Sequence, residues 1–84
     1  MQPVVLITGV LGGIGQAVCE RFAASGWRVF GTDLDAAGLA GLQAAGKVVG
    51  AHAADIRKPG ACREVVAALL AATGRLDALV NCAG

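Results

Sequence analysis

Residues 4–15, with the sequence VVLITGVLGGIG, constrain the fold of this chain more than any other stretch. Their four leading apolar residues are typical of a strand that is buried on both faces of a parallel sheet. A glycine-rich turn follows, and from Ile14 onward apolar residues recur at spacings of three and four, which predicts an amphipathic helix. Strand, glycine turn and helix in this order point the unpaired N–H groups and the positive dipole end of the helix toward an anion such as phosphate.

The glycines of this turn can be read in two ways. Gly9, Gly13 and Gly15 give G-x-x-x-G-x-G, whereas Gly9, Gly12 and Gly15 give G-x-x-G-x-x-G. Neither is the commonest dinucleotide motif, G-x-G-x-x-G. A P-loop counted from Gly9 would need Gly-Lys-Ser/Thr where residues 14–16 are Ile-Gly-Gln, so nucleotide hydrolysis is not expected. A tight turn that binds nothing remains the alternative.

Composition limits the classes of partner. The 84 residues suit one small domain, yet they are 56% hydrophobic and only 15% charged, which suggests that some apolar surface is covered by something else. The net charge is +1 and there is no basic run, so we expect neither a nucleic-acid nor a membrane partner.

No targeting or membrane segment is predicted. The first residues lack the cationic start of a signal peptide, and no unbroken apolar stretch reaches the length of a bilayer span. The three cysteines contain no C-x-x-C pair, so we expect reduced thiols, no metal site and a cytoplasmic location.

The remaining chain predicts alternating strands and helices. Asp35 is the expected N-cap of the second helix, and Pro59 is expected in the first turn of the third. The predicted helices span 13–25, 36–45 and 59–73, and the later strands span 27–32, 47–54 and 78–80. This alternation predicts an α/β fold, a Rossmann-type parallel sheet with strand order 3-2-1-4. Ligands of such a sheet bind at the carboxyl ends of the strands.

Two carboxylates end predicted strands on that side. Asp33 follows Gly15 by eighteen residues, the spacing at which a carboxylate accepts hydrogen bonds from an adenosine ribose. Asp55 ends the third strand, where it could accept from an adenine amino group. The alternative for each is a helix cap, and Asp35 is better placed than Asp33 to cap the second helix. His52, the only histidine, is expected to be an ordinary strand side chain.

Together these segments resemble the short-chain dehydrogenases/reductases over the whole chain. The resemblance rests on residues 8–15 (TGVLGGIG), Asp33, residues 55–56 (DI) and residues 74–84 (GRLDALVNCAG). The last four residues look like the family's Asn-Asn-Ala-Gly, which stabilises the central sheet and lies against the cofactor. The resemblance implies an NAD-binding site formed by Gly9, Leu11, Gly12, Gly13, Ile14, Asp33, Leu34, Asp55, Ile56, Asn81, Ala83 and Gly84.

Two residues depart from the family pattern. Cys82 replaces the second asparagine, which removes any hydrogen bond of that amide, and Leu11 stands where the family often has a small or hydroxylated residue. The G-x-x-G-x-x-G reading would suit the related extended group of sugar-nucleotide epimerases, but the ending at residues 81–84 argues against that group.

The family's catalytic residues have no counterpart here. The chain has no tyrosine to act as general acid/base, and its only serine is Ser25 in the first predicted helix. We therefore interpret residues 1–84 as the NAD-binding half-domain of an oxidoreductase that transfers a hydride between nicotinamide and an alcohol or carbonyl substrate. The half-domain is expected to be inactive alone, and the complete enzyme is expected to be a homo-oligomer. A stand-alone nucleotide-binding or regulatory module, and a domain that binds only a protein partner, are the alternatives.

Overall fold

The computed structural model describes residues 2–82, which form one four-stranded parallel sheet flanked by helices. The strand order is β3-β2-β1-β4, as the sequence predicts. The elements are β1 (Val4–Thr8), α1 (Gly13–Ala24), β2 (Arg28–Asp33), α2 (Ala36–Ala44), β3 (Gly50–Ala53), α3 (Ala61–Thr73) and β4 (Ala78–Asn81). The predicted Rossmann-type α/β fold is confirmed.

Strand β1 is the centre of the fold because it is apolar along both faces and pairs along both edges. It runs parallel to β2 on one side and to β4 on the other. Val5 and Ile7 pack into a core with Cys19 of α1 and Leu39 of α2, whereas the alternate residues of the strand face a second core formed with α3. Every residue of β1 is buried, which explains the continuous apolar run in the sequence.

Several predicted boundaries differ from the observed ones, because residues that the sequence assigned to the starts of strands form the ends of helices. The main-chain N–H of Trp27 donates to the carbonyl of Phe22 at 3.0 Å, and that of Lys47 donates to the carbonyl of Leu42 at the same distance. These bonds close α1 and α2, so β2 begins one residue later than predicted and β3 covers only the middle of the predicted 47–54. The closing residue of each helix, Ser25 and Ala45, is a C-cap rather than part of the helix.

The prediction that Pro59 lies in the first turn of α3 is wrong. The helix begins at Ala61, and its N-cap is Gly60 in the left-handed conformation with φ 81°. A residue in that conformation interrupts a right-handed helix, so Pro59 belongs to the preceding loop. Residues 54–60 therefore form a connection that is longer than the sequence suggests, and it borders the carboxyl end of the sheet.

No helix within residues 2–82 is both long enough and apolar enough to cross a lipid bilayer.

Candidate functional site

A cleft of about 420 Å³ opens at the carboxyl ends of the four strands. Each strand contributes to the cleft lining, either through its last residues or through residues that follow it. The lining consists of Gly9, Gly12, Thr32, Asp33, Leu34, Ala54, Asp55, Ile56, Arg57 and Cys82. Parallel sheets of this topology bind ligands at this end, where the connections on either side of the central strand diverge.

The glycine turn brings α1 directly onto the end of β1. Gly9 has φ 65°, which glycine adopts without cost, and its carbonyl accepts the N–H of Gly12 at 3.1 Å. A β-carbon at Gly15 would lie 2.1 Å from the carbonyl oxygen of Gly9. The close contact of turn and helix therefore requires the absence of a side chain at position 15.

The N-terminus of α1 faces outward without a side-chain cap. Gly12 is the N-cap residue, and the first helical bond runs from the N–H of Gln16 to its carbonyl at 2.9 Å. The N–H groups of residues 13–15 consequently have no acceptor within the helix. Because Gly12 and Gly13 are exposed, an anion can approach these donors and the positive end of the helix dipole.

Leu11 joins the glycine turn to Asp33. Its main-chain N–H donates to Oδ2 of Asp33 at 2.9 Å, and its carbonyl accepts from the side-chain amide of Gln16 at 2.9 Å. Its side chain packs toward Gly38 of α2. The contribution of Leu11 to the site is thus to hold the carboxylate, since its own N–H is already paired.

Asp33 is half-buried at the end of β2 and lines the cleft. Besides the bond from Leu11, its Oδ1 accepts the N–H of Leu34 at 2.8 Å. Each oxygen keeps a further lone pair for other donors. The helix-cap alternative is excluded for this residue, because Asp35 is the N-cap of α2 and accepts the N–H of Ala37 at 3.0 Å.

Asp55 is paired with Arg57, a cation for which the sequence predicted no role. The guanidinium donates through Nε to Oδ1 and through Nη2 to Oδ2, both at 2.9 Å, and the main-chain N–H of Arg57 adds a bond to Oδ1 at 3.1 Å. These bonds, the side-chain ones foremost, lower the pKa of Asp55 from 3.8 to about 2. Asp55 therefore closes a turn in the loop before α3 and does not cap that helix.

Four of the predicted residues within 2–82 lie outside the cleft lining: Leu11, Gly13, Ile14 and Asn81. Gly13 and Ile14 border a separate shallow groove along α1. Asn81 accepts the hydroxyl of Thr8 through Oδ1 at 2.6 Å, which fastens β4 to β1 beside the cleft. The predicted residues Ala83 and Gly84 lie outside the described residues.

Four lining residues were missed at the sequence level: Thr32, Ala54, Arg57 and Cys82. The position of each next to the carboxyl end of a predicted strand was the available signal. Thr32 is buried and donates its hydroxyl to the carbonyl of His52 at 2.6 Å, so it fixes β2 to β3 under the cleft. Within residues 2–82, no three His, Cys, Asp or Glu side chains are grouped to hold a metal ion.

Comparison with known proteins agrees with this arrangement. The chain is 40% identical over 82 residues to cis-1,2-dihydrobenzene-1,2-diol dehydrogenase of Pseudomonas putida, and the match spans 96% of this chain but 30% of that protein. Among solved structures, actinorhodin polyketide ketoreductase with NADPH superposes with a TM-score of 0.86 at 33% identity, covering 99% of this chain and 33% of that one.

A second solved structure is a complex with NADH rather than NADPH. The 3-ketoacyl-(acyl-carrier-protein) reductase of Brucella melitensis, complexed with NADH, has a TM-score of 0.81 at 37% identity over 92% of this chain and 32% of that one. The chain thus spans about a third of the length of these proteins. The family described as short chain dehydrogenase matches residues 3–84, nearly the whole sequence. The chain therefore belongs to the short chain dehydrogenase family.

Proposed function

We propose that this chain is the dinucleotide-binding half-domain of an NAD-dependent oxidoreductase, which transfers a hydride between nicotinamide and an alcohol or carbonyl substrate. The observation that carries the proposal is the half-buried carboxylate of Asp33, which is hydrogen-bonded to the glycine turn inside the cleft. An acceptor at the end of the second strand suits the ribose hydroxyls of an adenosine diphosphate, and the uncapped helix N-terminus beside it suits the pyrophosphate.

Each end of the cleft has a defined role in this proposal. The pyrophosphate lies against Gly12 and the free N–H groups of Gly13 and Ile14, and the ribose hydroxyls donate to Asp33 beside Leu34. The adenine lies between residues 55–56 and Gly9. We also assign Asn81, Ala83 and Gly84 to cofactor binding, because residues 81–84 resemble the family's Asn-Asn-Ala-Gly.

The carboxylate of Asp33 also favours NAD over NADP. Ribose hydroxyls that donate to a carboxylate contribute about 1.5–3 kcal/mol. A 2′-phosphate removes these bonds and places like charges together, at a cost of about 4 kcal/mol per unit charge for a separation near 4 Å and an effective dielectric constant near 20. Leu34 follows Asp33 and Gly12 occupies the turn, so neither position supplies a compensating cation. We expect at least about a hundredfold preference for NAD, roughly 2.7 kcal/mol.

Calorimetric titration with NAD and NADP tests the proposal. Asp33→Ala is expected to reduce the preference for NAD over NADP, mainly by weakening the binding of NAD. The matched control is Asp35→Ala, which removes the neighbouring carboxylate and the cap of α2 at a cost of about 1 kcal/mol in stability. It should leave the ratio of the two affinities unchanged. Equal affinities of the unmodified protein for both cofactors, or tighter NADP binding, would refute the NAD assignment.

The catalytic step belongs to a longer polypeptide in this proposal. The chain has no tyrosine, so we expect no turnover of alcohols or ketones by these 84 residues alone with either cofactor. The relatives named above are dehydrogenases or reductases, which gives no support to a stand-alone regulatory module. We further infer a homo-oligomer for the complete enzyme and a cytoplasmic location, for which the three free cysteines are the supporting observation.

A further inference from the structure

Asp55 and Arg57 form a closed pair on the wall of the cleft. The carboxylate is the inner member, with a side chain 19% exposed, and the guanidinium is the outer member, with a side chain 81% exposed. Both lie in the lining that also contains Asp33. The guanidinium is therefore the solvent-exposed member of the pair, and the carboxylate that it holds is the more buried member within the cleft lining.

The pairing leaves Asp55 with one open acceptor position. A carboxylate offers about four lone-pair positions, two on each oxygen. Oδ1 accepts both the main-chain N–H and Nε of Arg57, whereas Oδ2 accepts Nη2 alone. The remaining lone pair is thus on Oδ2. The two-pronged guanidinium fixes the plane of the carboxylate, which a lysine ammonium would not do.

We propose that Arg57 is a positioning residue that holds the Asp55 carboxylate as a fixed single acceptor and so selects a purine with an exocyclic amino group at position 6. This inference rests on the proposed dinucleotide function. Adenine donates from that amino group, whereas hypoxanthine carries a carbonyl oxygen in its place. Two acceptors then face each other, and a buried acceptor without a donor is penalised.

The protonation of Asp55 supports this selection. An aspartate with the ordinary pKa of 3.8 is already ionised at neutral pH, and the bonds from Arg57 lower the pKa of Asp55 further, so this carboxylate accepts hydrogen bonds and donates none. A carboxyl group that could take up a proton would satisfy the hypoxanthine carbonyl and erase the discrimination.

The chain supplies its own matched control at the opposite edge of the sheet. Arg75 donates to Asp77 through Nε at 2.8 Å and through Nη2 at 2.7 Å, the same two-pronged pairing across one intervening residue. Asp77 also accepts the N–H of Val4, at the start of β1 and away from the cleft. A change to this pair perturbs an equivalent interaction without touching the proposed base site.

The test is calorimetric titration of the protein with NAD and with nicotinamide hypoxanthine dinucleotide. We expect the unmodified protein to prefer NAD by about tenfold or more. Arg57→Lys should reduce that preference to about threefold or less, while Arg75→Lys should retain it. Asp55→Asn, whose amide can donate to the hypoxanthine carbonyl, should abolish or reverse the preference.

The outcomes separate this inference from the function on which it rests. Equal affinities of the unmodified protein for the two dinucleotides overturn the inference and leave the NAD site standing. Full preference in folded Arg57→Lys, judged by circular dichroism, also overturns it. Absence of binding by both dinucleotides overturns the inference together with the proposed function.

Discussion

Gly9 and Gly15 are in contact through their main chains, because a β-carbon at position 15 would lie 2.1 Å from the carbonyl oxygen of Gly9 and 2.9 Å from its carbonyl carbon. The atoms that a β-carbon would meet belong to the main chain, which cannot move aside by a change of side-chain rotamer. The close approach of α1 to the turn therefore depends on glycine at position 15.

The substitution Gly15→Ala is expected to lower the free energy of unfolding by at least about 2 kcal/mol, since overpacking against backbone forces α1 away from the turn. Gly13→Ala is the matched control, because a β-carbon there meets nothing within 4 Å. It should change stability by no more than about 1 kcal/mol, toward the stabilising side. Urea denaturation followed by the fluorescence of Trp27, the only tryptophan, measures both. Equal stability of the two variants would contradict the role of this contact.

The Asp55–Arg57 pair gives a signed pH dependence. The pKa of Asp55 is lowered from 3.8 to about 2, so its ionised form favours the folded state. That contribution is complete above pH 3.8 and is lost as the pH falls through about 2. The Arg57 guanidinium is 81% exposed and solvent screens its interaction with Asp55, so the change in stability is small and the titration is the better observable.

We expect the carboxyl carbon of Asp55 to titrate near pH 2 in NMR spectra and to return toward 3.8 in Arg57→Gln. The pKa of Asp77, lowered chiefly by its own hydrogen bond from Arg75, should not move in this variant and serves as the internal control. A midpoint for Asp55 near 3.8 in the unmodified protein would show that the pair does not persist in solution.

The three thiols differ enough in environment to be labelled in a fixed order. Cys62 is exposed, Cys82 is half-buried in the cleft, and Cys19 is buried. Burial, with the charge of Glu20 added, raises the pKa of the Cys19 thiol and keeps it protonated. An aromatic disulfide reagent should react first with Cys62, then with Cys82, and with Cys19 only after denaturation.

The same reaction reports on the cleft. NAD at saturating concentration should slow the labelling of Cys82 and leave the rate at Cys62 unchanged. Mass spectrometry of the labelled peptides distinguishes the sites. Equal slowing at both cysteines would indicate an effect on the reagent or on global stability, contrary to this prediction.

The open edge of β4 predicts self-association of the 84-residue chain. Within residues 2–82 this strand pairs only with β1, and Leu79 on it is 61% exposed. An unprotected apolar edge is a pairing site for other chains. Sedimentation velocity should show association that increases with concentration and is reduced by Leu79→Lys.

The control for this variant is Leu34→Lys, which adds the same charge at a comparably exposed leucine, 64%, that lies away from the edge. It should leave association unchanged. A monodisperse monomer at all concentrations, with a sharp unfolding transition, would refute the prediction.

The sequence was informative where a continuous apolar run, a glycine or a capping carboxylate decides the local structure. The apolar run of β1 and the glycine after it predicted the central strand and the turn, and Asp35 predicted a cap, because each acts within a few residues. The strand order followed from general handedness rules rather than from any single residue.

Interactions that depend on the loop before α3 were not predictable in the same way. The left-handed Gly60 places the helix start after Pro59, and in the loop before it Arg57 is paired with Asp55. The periodicity of the apolar residues gives no indication that Arg57 pairs with Asp55. Similarly, the bond from Leu11 to Asp33 joins positions that only the finished sheet brings together.

The bonds at the two ends of β4 have a consequence for how this protein is made. Asp77 accepts the N–H of Val4, and Asn81 accepts the hydroxyl of Thr8, each across 73 positions. Of these two strands β1 is made first, and the edge that pairs with β4 stays open until β4 has been made. Long-range pairing is slow to form. The nascent chain therefore presents an apolar strand with an open edge while the residues between β1 and β4 are being synthesised. A chaperone is most useful to the chain during that period.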